Sequence, residues 1–217
     1  MLNFAEKKSV KKDFGRVEDG AYPARIVQII DFGMQVETDW KTGEPKYYED
    51  GNLMVKPKVW INFEFPDEMI NIDGVDKPRW YGKEYTVSTH EKSALFALLK
   101  AVDPKGEYAD KGRNVRGLLG VPAMVTIGST SSGKPKISAV SGVPKGMQVG
   151  QLVNEEGFLD LDSTDTDAFF ELPSWMQNRI KDGVGFEHTK MAKALEKGAT
   201  TAPAPKLVVD NVSTEDY

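Results

Sequence analysis

Residues 55–65, Val-Lys-Pro-Lys-Val-Trp-Ile-Asn-Phe-Glu-Phe, alternate with period two. On an extended strand Val55, Val59, Ile61, Phe63 and Phe65 share one face, and Lys56, Lys58, Trp60, Asn62 and Glu64 share the other. The pattern predicts a strand with one face on a core and the other open. Pro57 lacks an amide donor, which puts the start of the strand at an edge or a bulge. The outward face then offers two ammonium groups, an indole and an amide at intervals of roughly 6.6–7 Å, a spacing suited to successive splayed nucleotides. Trp60 reads as a stacking platform, Lys56 and Lys58 as phosphate contacts, and Asn62 as a polar neighbour.

Other strands are legible on either side. Asp19-Gly20 opens Ala-Tyr-Pro-Ala-Arg-Ile-Val-Gln-Ile-Ile-Asp-Phe at 21–32, rich in β-branched and aromatic residues. A long polar connection at 37–51 follows, carrying Trp40, Lys41, Lys46, Tyr47 and Tyr48. Connections of that length tend to be functional or structureless. A third strand is expected at 83–88, running into a helix within 88–104 with Leu95, Leu98, Leu99 and Val102 on one stripe. Ser88 and Glu91 fit a capping box there, and Pro104 fits the stop. Residues 121–129 and 134–144 read as two more strands about the turn at 129–133. Three strands, one helix and two strands predict a mainly β fold, a five-stranded OB-like barrel with a helix between strands 3 and 4. Such barrels bind oligonucleotides on one sheet face and its flanking loops.

Around this barrel, expected at 19–150, residues 1–18 read as a flexible arm and 151–197 as an acidic and helical appendage packed on it. Residues 198–217 read as a flexible linker, rich in Ala, Thr and Pro, and a short acidic tail. Residues 173–183 predict a short helix between Pro173 and Gly183.

Further basic and aromatic residues extend the candidate surface: Arg79, Trp80, Tyr81 and Lys83 in one segment, Arg113 and Arg116 before the fourth strand, and Lys134 and Lys136 after the last turn. An Arg beside aromatics suits stacking and backbone contact together. The net charge of −5 hides an asymmetry, since residues 1–150 sum to +2 and residues 151–217 to −7. An acidic chain is poorly suited to duplex DNA, which rewards clustered cations, but a near-neutral domain can carry a basic stripe.

Several chemistries find no support. With no cysteine there is no disulfide framework, thiolate nucleophile or Cys-based zinc site. Gly128 to Lys134 has P-loop spacing, but Pro135 stands where Ser or Thr must ligate magnesium, and a strand follows instead of a helix. Asp160, Asp162 and Glu171 imitate a calcium loop, yet Asp165 occupies the position that needs glycine. His90 and His188, the only histidines, are remote in sequence. No cofactor and no catalysis are expected. No apolar run approaches the roughly 18 residues of a membrane span, and the N-terminus lacks the apolar stretch of a secretion signal, so a soluble, cytoplasmic chain without membrane contact is expected.

Three segments, GAYPARIVQIIDFGMQ at 20–35, LLGVPAMVTI with KPKISAVSGVPKGM at 118–147, and FFELPSWMQNRIKDGVGF at 169–186, resemble a family of bacteriophage single-stranded-DNA-binding, replication-associated proteins. The resemblance covers roughly residues 10–187. It implies an OB-fold that coats unwound DNA in replication or recombination in the host cytoplasm. It also implies an acidic tail for replication partners, matched here by Asp210, Glu215, Asp216 and Tyr217, although three acids make a weak tail. Self-association is left open. The competing expectation is a phage structural or protein-interaction module whose aromatics line a protein interface, and behind it a nuclease with an acidic metal site.

Overall fold

The computed structural model describes residues 17–88, 90–109 and 114–198. The fold is mainly β. Strands β1 (Gly20–Val36), β2 (Val55–Ile72) and β3 (Val75–Thr86) are followed by helix α1 (Ala94–Val102), then β4 (Pro122–Ser129), β5 (Pro135–Ser141) and the short β6 (Gly157–Leu159). Helices α2 (Asp167–Phe170), α3 (Ser174–Lys181) and α4 (Lys190–Gly198) complete the described chain. No helix among the described residues is long and apolar enough to cross a membrane.

The six strands form one sheet in the order β3-β2-β1-β4-β5, antiparallel throughout except that β6 pairs parallel with β1. One edge of β1 runs along β2, while the other is shared by β4 at 20–25 and β6 at 28–30. Register shifts between Ile26 and Gln28 and between Asp31 and Gly33 mark irregularities of the β1–β2 ladder. Such bulges bend a strand and change which face its side chains meet. Ile26 and Ile29, three residues apart, accordingly join the same core. No hydrogen-bonded ladder joins β3 to β5, so the sheet is open there, although the two strands approach each other.

Beyond Phe65, β2 continues to Ile72 and turns through Asp73-Gly74, both with positive φ (53° and 86°), into β3. This two-residue hairpin turn is the kind Asp-Gly favours. It starts β3 at Val75, well before the expected residue 83. The helix cap is also relocated: Ser93 Oγ, not Ser88, accepts the Phe96 amide at 3.1 Å, while its hydroxyl donates to the Ser88 carbonyl at 2.8 Å.

Two cores lie on opposite faces of the sheet. The first gathers Val59, Ile61, Phe63 and Phe65 with Ile26, Ile29, Val125, Ile127 and the α1 residues Leu95, Leu98 and Val102. The second gathers Ile30, Phe32 and Trp60 with Leu159, Leu161, Phe169, Leu172, Met176, Ile180 and Met191. Each large side chain fully buried in this way contributes about 1.5–3 kcal/mol, so the C-terminal segment is held on the sheet by a core of its own.

Two polar anchors lead into that segment. Arg25 donates to the carbonyls of Gly120, Val149 and Gly150 at 2.7, 3.1 and 2.6 Å. Buried Glu64 accepts the Val153 amide at 2.6 Å, the Asn154 amide and side chain at 3.2 and 2.7 Å, and the Trp80 indole at 3.1 Å.

Candidate nucleic-acid interface

The second face of β2, expected to be open, is filled by the C-terminal helices. Trp60 is only 2% exposed. Its ring stacks on Phe32 at 6.0 Å between centroids and meets the edge of Trp175 at 5.2 Å. The Trp60 indole donates to Asn62 Oδ1 at 2.7 Å, and Asn62 in turn donates to Gln28 Oε1 at 2.8 Å. Lys58 pairs with Glu37 and, at 3.8 Å, with Glu84, and donates to Thr86 Oγ1 at 2.8 Å. Lys56 is half-buried. Trp60, Lys58 and Asn62 therefore hold the fold together and are not presented to a ligand. The alternation of β2 misled because Lys58, Trp60, Asn62 and Glu64 on this face each have a polar partner, and a partnered polar side chain can be buried.

The connection between β1 and β2 is a folded finger. Isolated bridges pair Thr38 with Pro45 and Tyr47 with Leu53, and Glu37 and Met54 join its base at 2.8 Å. Asp39 accepts the amides of Lys41 and Thr42 at 2.8 and 3.2 Å, which hold its carboxyl below the usual range. On this ordered frame Trp40 is 77% exposed, Tyr47 60% and Tyr48 48%. The Lys41 ammonium lies 5.0 Å from the Trp40 ring centroid. Burial opposes the charge of Glu37, but the hydrogen bond and charge of Lys58, and then the charges of Lys56 and Lys46, outweigh it and lower its pKa.

The finger rises from the end of the sheet where β3 finishes, for the Val87 amide donates to the Pro57 carbonyl at 2.8 Å. Along β3, Arg79, Tyr81, Lys83 and Tyr85 fall on one face with period two, opposite Phe65, Phe63, Ile61 and Val59 of β2. As β3 borders the opening, this row lies along it. Tyr81 meets Phe65 edge-on at 5.6 Å and is hydrogen-bonded by Arg79; burial raises its pKa, and the guanidinium opposes that rise. The Lys83 ammonium sits 5.6 Å from the Tyr85 centroid. Its pKa is lowered first by burial and then by Lys136 on β5. Lys134 closes the β4–β5 turn, its amide donating to Thr130 Oγ1 at 2.9 Å. Trp80 points the other way, to Glu64.

Arg116 stands elsewhere. Its guanidinium lies 5.0 Å over the Phe158 ring, in a cavity of about 780 Å³ that also has Glu156, Asp165, Asp167 and Glu171 in its wall and shares no residue with the row on β3. Arg113 and the tail residues Asp210, Glu215, Asp216 and Tyr217 lie outside the described residues. Tyr85, at the end of the row on β3, is only 4% exposed and belongs to the first core. Comparison with protein-family models, curated proteins and solved structures gave no match to this chain.

Proposed function

We propose that the chain binds single-stranded DNA with little sequence preference and without catalysis, through the β1–β2 finger and the basic row on β3. The observation that carries this reading is the exposure of Trp40, Tyr47 and Tyr48 on a finger already ordered by its own hydrogen bonds, beside Lys41 and Lys46. A base stacked on such a ring gains about 1–3 kcal/mol whatever its identity, and an ordered loop loses little entropy on binding.

The strand order, with α1 between β3 and β4, supports an OB-like barrel left open between β3 and β5. In that fold the β2–β3 face and the loops β1–β2 and β4–β5 bind oligonucleotides. Here helices cover much of that face, so the contacts assigned to ligand are the first loop and the open edge. The phage-family resemblance supplies the choice of DNA and a coating role in replication or recombination.

Titration with oligonucleotides in rising salt tests the proposal. Binding quenches tryptophan fluorescence, prefers single strands to duplex and weakens as salt rises. Absence of binding at low salt, both by the intact chain and by a version ending near residue 198, rejects it. Loss of the DNA itself on incubation with magnesium would favour the nuclease reading instead.

A further inference from the structure

No residue of the finger, 37–54, is buried, so apolar packing does not fix the angle at which it leaves the sheet. Its backbone meets at one root. The Glu37 amide donates to the Met54 carbonyl, the Met54 amide to the Lys46 carbonyl and the Lys46 amide to the Glu37 carbonyl, each at 2.8 Å. From this root the Glu37 carboxylate pairs with Lys58 of β2, whose side chain is only 12% exposed. Lys58 also donates to Thr86 Oγ1 at 2.8 Å and lies 3.8 Å from Glu84 on β3, while Glu84 meets the Arg179 guanidinium of α3 at 3.2 Å. Four charges of alternating sign thus run from the finger root to the C-terminal helices. A network of this kind holds geometry where an isolated exposed pair does not. An aromatic surface that is aimed before its ligand arrives loses less entropy on binding.

We infer that Lys58 is a positioning residue: anchored on β3, it grips Glu37 and so sets the direction in which Trp40, Tyr47 and Tyr48 are presented, without itself touching the nucleic acid. What the finger meets rests on the function proposed above; the hold of Lys58 on the finger does not.

The test uses the full chain with Glu37→Ala, Lys58→Met and the two combined. Glu37→Ala leaves Lys58 its partners on β3, and it carries the test alone if Lys58→Met, which strands two carboxylates, does not fold. For an oligothymidylate, Glu37→Ala weakens affinity roughly tenfold, although removing a carboxylate beside a polyanion would by charge alone tighten it. The double variant binds no more weakly than Lys58→Met, because both changes break one link. The slope of log affinity against log salt stays unchanged in Lys58→Met, whereas a lost phosphate contact on a single strand would make it shallower by about 0.7. In Glu37→Ala, hydrogen exchange speeds up at the Lys46 and Met54 amides and keeps the parent's rate at Ile26, whose amide donates to the Val121 carbonyl far from the finger; a role in global stability alone would speed both. Affinity of Glu37→Ala equal to or above the parent's, or a shallower slope in Lys58→Met, overturns the inference and leaves the proposed function standing. If the parent binds no single strand, the proposed function falls and exchange decides: acceleration confined to the finger amides sustains the hold of Lys58 on the finger, and parent-like exchange there, or equal acceleration at Ile26, overturns it.

Discussion

Trp60 and Trp175 meet edge to face, 5.2 Å between ring centroids at 74°, and this contact joins β2 to α3 across the second core. It ties the residue that most invites a stacking role to the packing of the C-terminal helices. Trp60→Ala is expected to cost about 3–5 kcal/mol, a large share of the stability of an ordinary domain. A urea titration followed by near-ultraviolet circular dichroism measures it.

Trp40 has the opposite profile. Exposed on the finger, Trp40→Ala should change stability by no more than about 0.5 kcal/mol while weakening single-strand affinity roughly tenfold or more. Most of the ligand-induced fluorescence quench should be lost with it, because Trp60 is buried and Trp80 turns to Glu64, away from the β3 row. Retention of both affinity and quench would remove the finger from the interface.

Gly82 faces Asn62 across the β2–β3 ladder, and a Cβ there would collide with Trp60 Nε1 and Asn62 Oδ1. Gly82→Ala must therefore displace the indole or break its hydrogen bond. Overpacking of this kind costs about 1–3 kcal/mol. The denaturation midpoint should fall, whereas Gly43→Ala, in the finger, meets no atom within 4 Å and is strained only by its φ of +73°.

Glu64 gathers four donors on one carboxylate. Glu64→Gln leaves one acceptor oxygen and turns an amide group toward the remaining donors. Each buried donor left unmatched costs about 1–3 kcal/mol. Beyond the lower midpoint, hydrogen exchange at the Val153 and Asn154 amides should accelerate, since these two would lose the acceptor that fixes the chain's entry to the second face.

Asp103 closes the end of α1 by accepting the amides of Glu107, Tyr108 and Ala109 at 2.7, 3.1 and 2.8 Å. Burial opposes its charge, but the amide donations outweigh burial and hold the carboxyl below its ordinary value. A folded-state pKa below the unfolded value of about 3.9 adds stability that is full above that value and is lost as pH falls through the folded-state pKa. Asp103→Asn should lower stability near pH 7 by roughly 1–3 kcal/mol and lessen the loss of stability toward pH 3, measured by thermal melts at several pH values.

From the sequence alone, the period-two run at 55–65 marked β2, and the leucine stripe at 95–102 with Pro104 marked α1, because local periodicity reflects which side chains a strand or helix turns to one side. The finger aromatics were legible for the same reason: a long polar connection has nothing to bury them. Whether the second face of β2 met solvent or protein depended on residues remote in the chain, upstream as well as downstream. Trp60, Asn62 and Glu64 look like an exposed polar face until Trp175, Gln28 and Asn154 arrive beside them, and no local pattern records that arrival. Strand periodicity is a property of neighbours in sequence, and burial is a property of neighbours in space; the first was in the chain, and only folding decided the second.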